Sequence, residues 1–133
     1  MGIGVGVVRG ATATVMVRDV ERAVRFYTDR LGLHLRASHV DPAADWAEVE
    51  APGLRLLLVG SGLPPAREPA IPSPVPVAVG FEVEDLEEAM RVLRRRGIGF
   101  EREIAEGTEH RIAWFADPDG NPLYLRQERG AAP

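Results

Sequence analysis

The sequence predicts an α+β protein made of two tandem βαβββ units, and three observations carry that prediction. Residues 17–31 and 83–97 repeat one another without a gap at an offset of 66 residues, matching Asp19 to Asp85, Glu21 to Glu87, Ala23 to Ala89 and Arg25 to Arg91. In each copy an apolar, strand-like run leads into a helix that opens on an acidic residue. Three further strand-like runs with turn signals then follow. A repeat this long implies two copies of one supersecondary unit packed together, with functional residues where the copies face each other. The expected boundaries are a tail over 1–10, a first unit over 11–60, a Pro-rich linker over 61–76, a second unit over 77–127 and a tail over 128–133.

The first strands fall at 11–17 and 75–83. Asp19 and Asp85 stand at helix N-caps, where a side-chain oxygen accepts a bond from an orphan amide, and Glu88 completes a capping box with Asp85. The helices carry an apolar stripe at i, i+3, i+4, i+7: Val20, Ala23, Val24, Tyr27 and Leu31, repeated as Leu86, Ala89, Met90, Leu93 and Gly97. Gly32 and Gly97 stand where the chain leaves each helix, with positive φ expected. Strands follow at 33–40, 45–50 and 54–59, then at 98–103, 110–116 and 122–127. The linker holds six of the eleven prolines, which remove ladder donors and stiffen the backbone.

Composition excludes several classes of function. There is no cysteine, so disulfides, thiolate nucleophiles and Cys metal sites are out. All sixteen basic residues are Arg, so there is no Schiff-base lysine and no P-loop lysine. A formal charge of −4 gives no reason to expect nucleic acid or an anionic membrane, and the run Arg94-Arg95-Arg96 reads as a solvated helix end. No stretch reaches the roughly 20 apolar residues of a spanning helix. A cytoplasmic protein is the default expectation.

Two motifs resemble the glyoxalase / bleomycin resistance / dioxygenase (vicinal oxygen chelate) superfamily. One is the stretch over 17–27 with Leu31-Gly32-Leu33; the other is Val83-Glu84-Asp85-Leu86 followed by Phe115-Ala116-Asp117-Pro118-Asp119-Gly120-Asn121-Pro122. The resemblance covers about residues 11–127. It implies a U-shaped, mostly antiparallel sheet around a groove with helices outside. It also implies, for the metalloenzymes of the family, a divalent ion in the groove held by His and Glu from the first and fourth strands of each unit, and usually a homodimer.

The family pattern puts one ligand seven residues before the capping Asp and another seven after the first Asp of Asp-Pro-Asp-Gly. Those positions are Thr12, Ala78 and Tyr124, and the 66-residue offset adds Leu58. Alanine and leucine have no donor atoms, and neutral Thr or Tyr hydroxyls are poor ligands for such ions, so no metal and no cofactor is expected. His34, His39 and His110 are the only histidines, and none has a carboxylate at a ligand-pair spacing. Asp117, Asp119 and Gly120 read as a tight turn, since the EF-hand spacing is missing.

Period-2 alternation points Thr12, Thr14 and Met16 into the groove, joined by Ala78, Gly80, Glu82 and Tyr124. Trp46 and Trp114 either wall the groove or belong to the core. Glu82 is either a groove carboxylate, with its pKa raised if desolvated or able to bind a cationic ligand group, or a residue of the sheet margin that is solvated or pairs with Arg111 or Arg126. The candidate ligand-binding set is therefore Thr12, Thr14, Trp46, Leu58, Ala78, Glu82, Trp114 and Tyr124. The leading expectation is a small hydrophobic or aromatic molecule sequestered without chemistry. The alternatives are a metal-dependent lyase, isomerase or dioxygenase of the glyoxalase type, and a structural or interaction module.

Overall fold

A computed structural model describes residues 7–8, 10–39, 45–62, 77–101 and 103–129. The linker from residue 63 onward and most of both tails lie outside them. The first copy forms β1 (Ala13–Val17), α1 (Val20–Arg25, continued by one π-helical turn over Phe26–Arg30), β2 (His34–His39), β3 (Trp46–Ala51) and β4 (Leu54–Gly60). The second forms β5 (Val79–Glu82), α2 (Leu86–Arg95), β6 (Ala105–Glu106), β7 (His110–Ala116) and β8 (Pro122–Glu128). Both units are thus βαβββ. The strand expected over 98–103 lies further along, as the two-residue β6.

Each unit makes its own four-stranded sheet, in the orders β1-β4-β3-β2 and β5-β8-β7-β6. The first strand of each unit pairs parallel with the fourth, and the remaining pairs are antiparallel. The caps form as the sequence indicates: Asp19 Oδ1 accepts from the Arg22 amide at 3.1 Å and Asp85 Oδ1 from the Glu88 amide at 3.0 Å. The Glu88 carboxylate bonds Arg91 as an i,i+3 pair, and among the described residues the Asp85 amide does not bond back to it, so only the Asp85 half of the expected capping box forms. Gly32 and Gly97 have φ of 94° and 89°, the left-handed exit that a Cβ would strain.

The core lies between each helix and one face of its sheet. Val20, Ala23, Phe26 and Tyr27 pack on Val15, Val17, Ala47, Val49, Leu56 and Leu58, while Leu86, Met90 and Leu93 pack near Ala113, Phe115, Leu123 and Leu125. The helical stripe admits Tyr27 but not Phe26. The π turn, with the Leu31 amide bonded to the Phe26 carbonyl at 2.9 Å, leaves both rings buried edge to face at 5.2 Å. A sequence with no Pro or Gly there gives no periodicity signal for such a turn.

The units are joined through the turn over 117–121. Asp117 is 4% exposed, and its carboxylate accepts from Tyr27 Oη at 2.8 Å, from Asn121 Nδ2 at 2.8 Å and from the amides of Asp119 and Asn121 at 2.9 Å each. Asn121 Nδ2 also donates to the Met16 carbonyl at 3.0 Å, and the Arg18 amide donates to Asp119 Oδ1 at 3.2 Å. Burial pushes the Asp117 carboxyl up, against the bonds from Asn121, Tyr27 and the turn amides, which hold it down. Burial and the neighbouring Asp117 charge hold the Tyr27 phenol protonated, well above its ordinary range. At the helix ends Arg96 Nη1 donates to the Arg30 carbonyl at 3.2 Å.

Two predictions follow from this architecture. Tyr27→Phe removes one donor from a buried carboxylate and is expected to cost about 1–3 kcal/mol in chemical denaturation; an unchanged midpoint and slope would count against the bond. Arg111 bonds Glu87 across α2 and β7 and, through that bond, lowers the Glu87 pKa from 4.5 to about 2. A depressed carboxylate contributes stability above pH 4.5 and loses it as pH falls toward about 2. Arg111→Gln is therefore expected to flatten that part of the acid limb of stability against pH, measured by thermal melts; an unchanged limb counts against the pair.

Candidate groove site

The face of each sheet opposite the core is set by the buried residues. Ala47, Val49, Ala113 and Phe115 point to the core, so Trp46 and Trp114 both lie on the other face. Alternation along the strands builds cross-strand rows there. In the first unit these are His39–Trp46–Val59–Met16, Ala37–Glu48–Leu57–Thr14, and His34–Glu50–Arg55, with Thr12 next to Arg55 as the register continues. In the second they are Trp114–Tyr124–Gly80 and Ile112–Arg126–Glu82, with Ala116–Pro122 beyond, next to Ala78.

One row is aromatic. The rings of Trp114 and Tyr124 are 5.0 Å apart at 57°. Tyr124 lies directly over its β5 partner Gly80, where an added Cβ would stand 2.1 Å from the ring. Glycine at 80 is what lets the tyrosine lie down across the neighbouring strand. In the first unit His39 stacks on Trp46 at 6.0 Å and 24°.

The other candidates sort clearly. Thr12 and Thr14 are exposed on the groove face, and Ala78 is half-buried beside it. Glu82 is solvated, with a side chain 70% exposed, and pairs with Arg126 at 2.7 Å, which is the second of its two sequence readings. Arg111 serves α2 instead. Leu58 is a correction: it is fully buried in the core. The repeat offset is 66 residues through β3 and β7 but 67 in the fourth strands, because the 117–121 turn is one residue longer than its counterpart. A one-residue shift turns a side chain to the other face, so the true counterpart of Tyr124 is Leu57. Sequence reasoning also missed Arg55, Leu57 and Val59, whose facing follows once that register is known.

The donor set does not fit the metal of the resemblance. Thr12, Leu57, Ala78 and Tyr124 offer two neutral hydroxyls, and the Tyr124 ring is committed to Gly80 and Trp114. Among the described residues no three His, Asp or Glu side chains converge as a metal-binding group. Among the described residues no helix is long and apolar enough to cross a membrane.

Residues 10–125 match the model of the Glyoxalase/Bleomycin resistance protein/Dioxygenase superfamily. The chain belongs to that superfamily. It is 27% identical over 119 residues to the uncharacterized protein YetH of Bacillus subtilis (strain 168), covering 87% of this chain and 95% of YetH. Among solved structures it resembles SMU.1112c, with a TM-score of 0.75, 25% identity, and coverage of 92% of this chain and 100% of that one. TnmS3, an antibiotic binding protein from Streptomyces sp. CB03234, shares the fold of this superfamily member at a TM-score of 0.66 and 22% identity, over 92% of this chain and 99% of TnmS3.

Gly80→Ala forces a methyl into the Tyr124 ring and is expected to displace it, costing about 1–3 kcal/mol. Loss of the near-UV circular dichroism of the Trp114–Tyr124 pair, with far-UV signal retained, is the readout; an unaltered near-UV band counts against the close approach.

Proposed function

We propose that this superfamily member is a metal-independent binding protein that takes an aromatic small molecule into the groove between its two units. The observation that carries this reading is the Trp114–Tyr124 shelf over Gly80. It puts an aromatic surface where the resemblance places a metal ligand. Such a face offers stacking area at little rotamer cost, and the charged band beside it orients a bound molecule, the make-up of a small-molecule site. TnmS3, of the same fold, is an antibiotic binding protein, which supports binding as a use of this architecture. We also propose that the chain acts as a homodimer: Met16, in the groove-face row with Trp46 and Val59, is 50% exposed, and a second copy over that face would cover it.

A thermal-shift screen of fused-ring aromatic compounds is expected to give hits in wild-type protein, and Trp114→Ala and Tyr124→Ala are expected to remove them, weakening binding by about 1–3 kcal/mol each, as loss of a stacked ring does. Elemental analysis of untagged protein is expected to find no stoichiometric Ni, Zn, Fe or Mn. Stoichiometric metal, or hits indifferent to both substitutions, would overturn the reading.

A further inference from the structure

The groove is graded along its length. At one end lie Trp46, Val59 and Met16; at the other, a charged band made by Glu50, Arg55 and Thr12 in the first unit with Glu82 and Arg126 in the second. Each carboxylate on this face already holds a guanidinium. Glu50 takes Arg36 at 3.2 Å and Glu48 shares it at 2.9 Å, while Glu82 takes Arg126 at 2.7 Å and Glu128 lies 3.7 Å from it. Arg55 differs. It is exposed, its cross-strand neighbour Glu50 is held by Arg36, and among the described residues no carboxylate lies within ion-pair distance of it. It borders a recess of about 610 Å³ that it shares with Gly10, Ala11, Thr12 and Glu50.

We infer that this recess is a carboxylate subsite, and that the molecule taken by the groove is an elongated aromatic carboxylate. Its head meets the Arg55 fork beside the Thr12 hydroxyl, and its rings lie on Tyr124 and Trp114. The inference rests on the aromatic-groove reading above and adds the sign and shape of the ligand. A planar guanidinium recognises a carboxylate with two parallel bonds. A cationic head has no such opening, because it must displace an existing ion pair to reach a carboxylate. Arg55 on β4 and Tyr124 on β8 are separated by β1 and β5. The β4–β1 and β5–β8 steps alone account for about 10 Å at about 4.8 Å each, and β1 and β5, which belong to different sheets, add a further gap. More than one fused ring is needed to bridge it.

The test is calorimetric titration, near neutral pH and low salt, with anthracene-2-carboxylate, its carboxamide and the aminomethyl analogue. Wild type is expected to bind the carboxylate tightest. Arg55→Gln is expected to weaken the carboxylate at least tenfold and leave the carboxamide within twofold, with Arg55→Lys between. Added salt should weaken the carboxylate alone. An equal loss for carboxylate and carboxamide in Arg55→Gln, no loss for either, or tightest binding of the ammonium would overturn the subsite while leaving the aromatic groove standing. Failure of all three compounds to bind wild type would overturn the groove reading and the subsite with it.

Discussion

The buried hydrogen bond from the Tyr27 hydroxyl to Asp117 is the constraint on which the rest of the molecule depends. A carboxylate that is 4% exposed is costly unless its oxygens are satisfied. Here one donor comes from the other unit and the remainder from the turn itself. The turn is thereby held in one shape, and Asn121 and Asp119 reach the backbone at the end of β1. Two sheets that share no ladder thus become one body with a fixed groove. The π turn in the first helix belongs to the same device, because it supplies Tyr27 while keeping Phe26 in the core.

The duplication is not repeated at the second junction. The position matching Tyr27 is Leu93, and the turn matching 117–121 is the short 51–54 segment, with no polar side chain. The 51–54 turn faces β5 and α2 across a cleft of about 830 Å³ lined by Leu31, Leu33, Leu54, Phe81, Val92 and Leu93, among others. One side of the pseudo-symmetric molecule is joined by directional bonds and the other is left apolar and open. The copies agree where packing dictates: Val15 with Phe81, Val49 with Phe115, Leu56 with Leu123, Leu58 with Leu125. They disagree on the groove face, where Thr14 meets Gly80, Glu48 meets Trp114 and Leu57 meets Tyr124. A core accepts any apolar residue of about the right size, so its pattern survives duplication, whereas the groove face is not held to that pattern and its two halves differ.

That division explains what was legible in the sequence. The units, the caps, the positive-φ glycines and most strand positions follow from local rules: period, capping chemistry and turn residues. The short β6 and the π turn do not, since neither leaves a periodic signal. The facing of the two tryptophans needed the partners of Ala47 and Phe115, a tertiary fact. The placement of Leu58 failed for a narrower reason. The helices and third strands keep the 66-residue offset, but the longer 117–121 turn moves the fourth strands to 67. Because side chains alternate, that one residue separates core from groove.

The extra residue of the 117–121 turn does not supply a metal ligand. In either register the first unit contributes a leucine at the fourth-strand position, Leu58 or Leu57, and neither carries a donor atom. The second unit contributes Tyr124, whose ring is laid over Gly80 and against Trp114. To serve as a ligand it would have to leave that shelf, giving up aromatic contact for a bond through a neutral hydroxyl, with Thr12 as its strongest neighbour in the set. A divalent ion of the kind the resemblance implies is held by imidazole and carboxylate groups, and the carboxylates nearest the groove centre, Glu48 and Glu82, are already engaged by Arg36 and Arg126. The residues that would bind an ion are thus spent on holding the groove's edges.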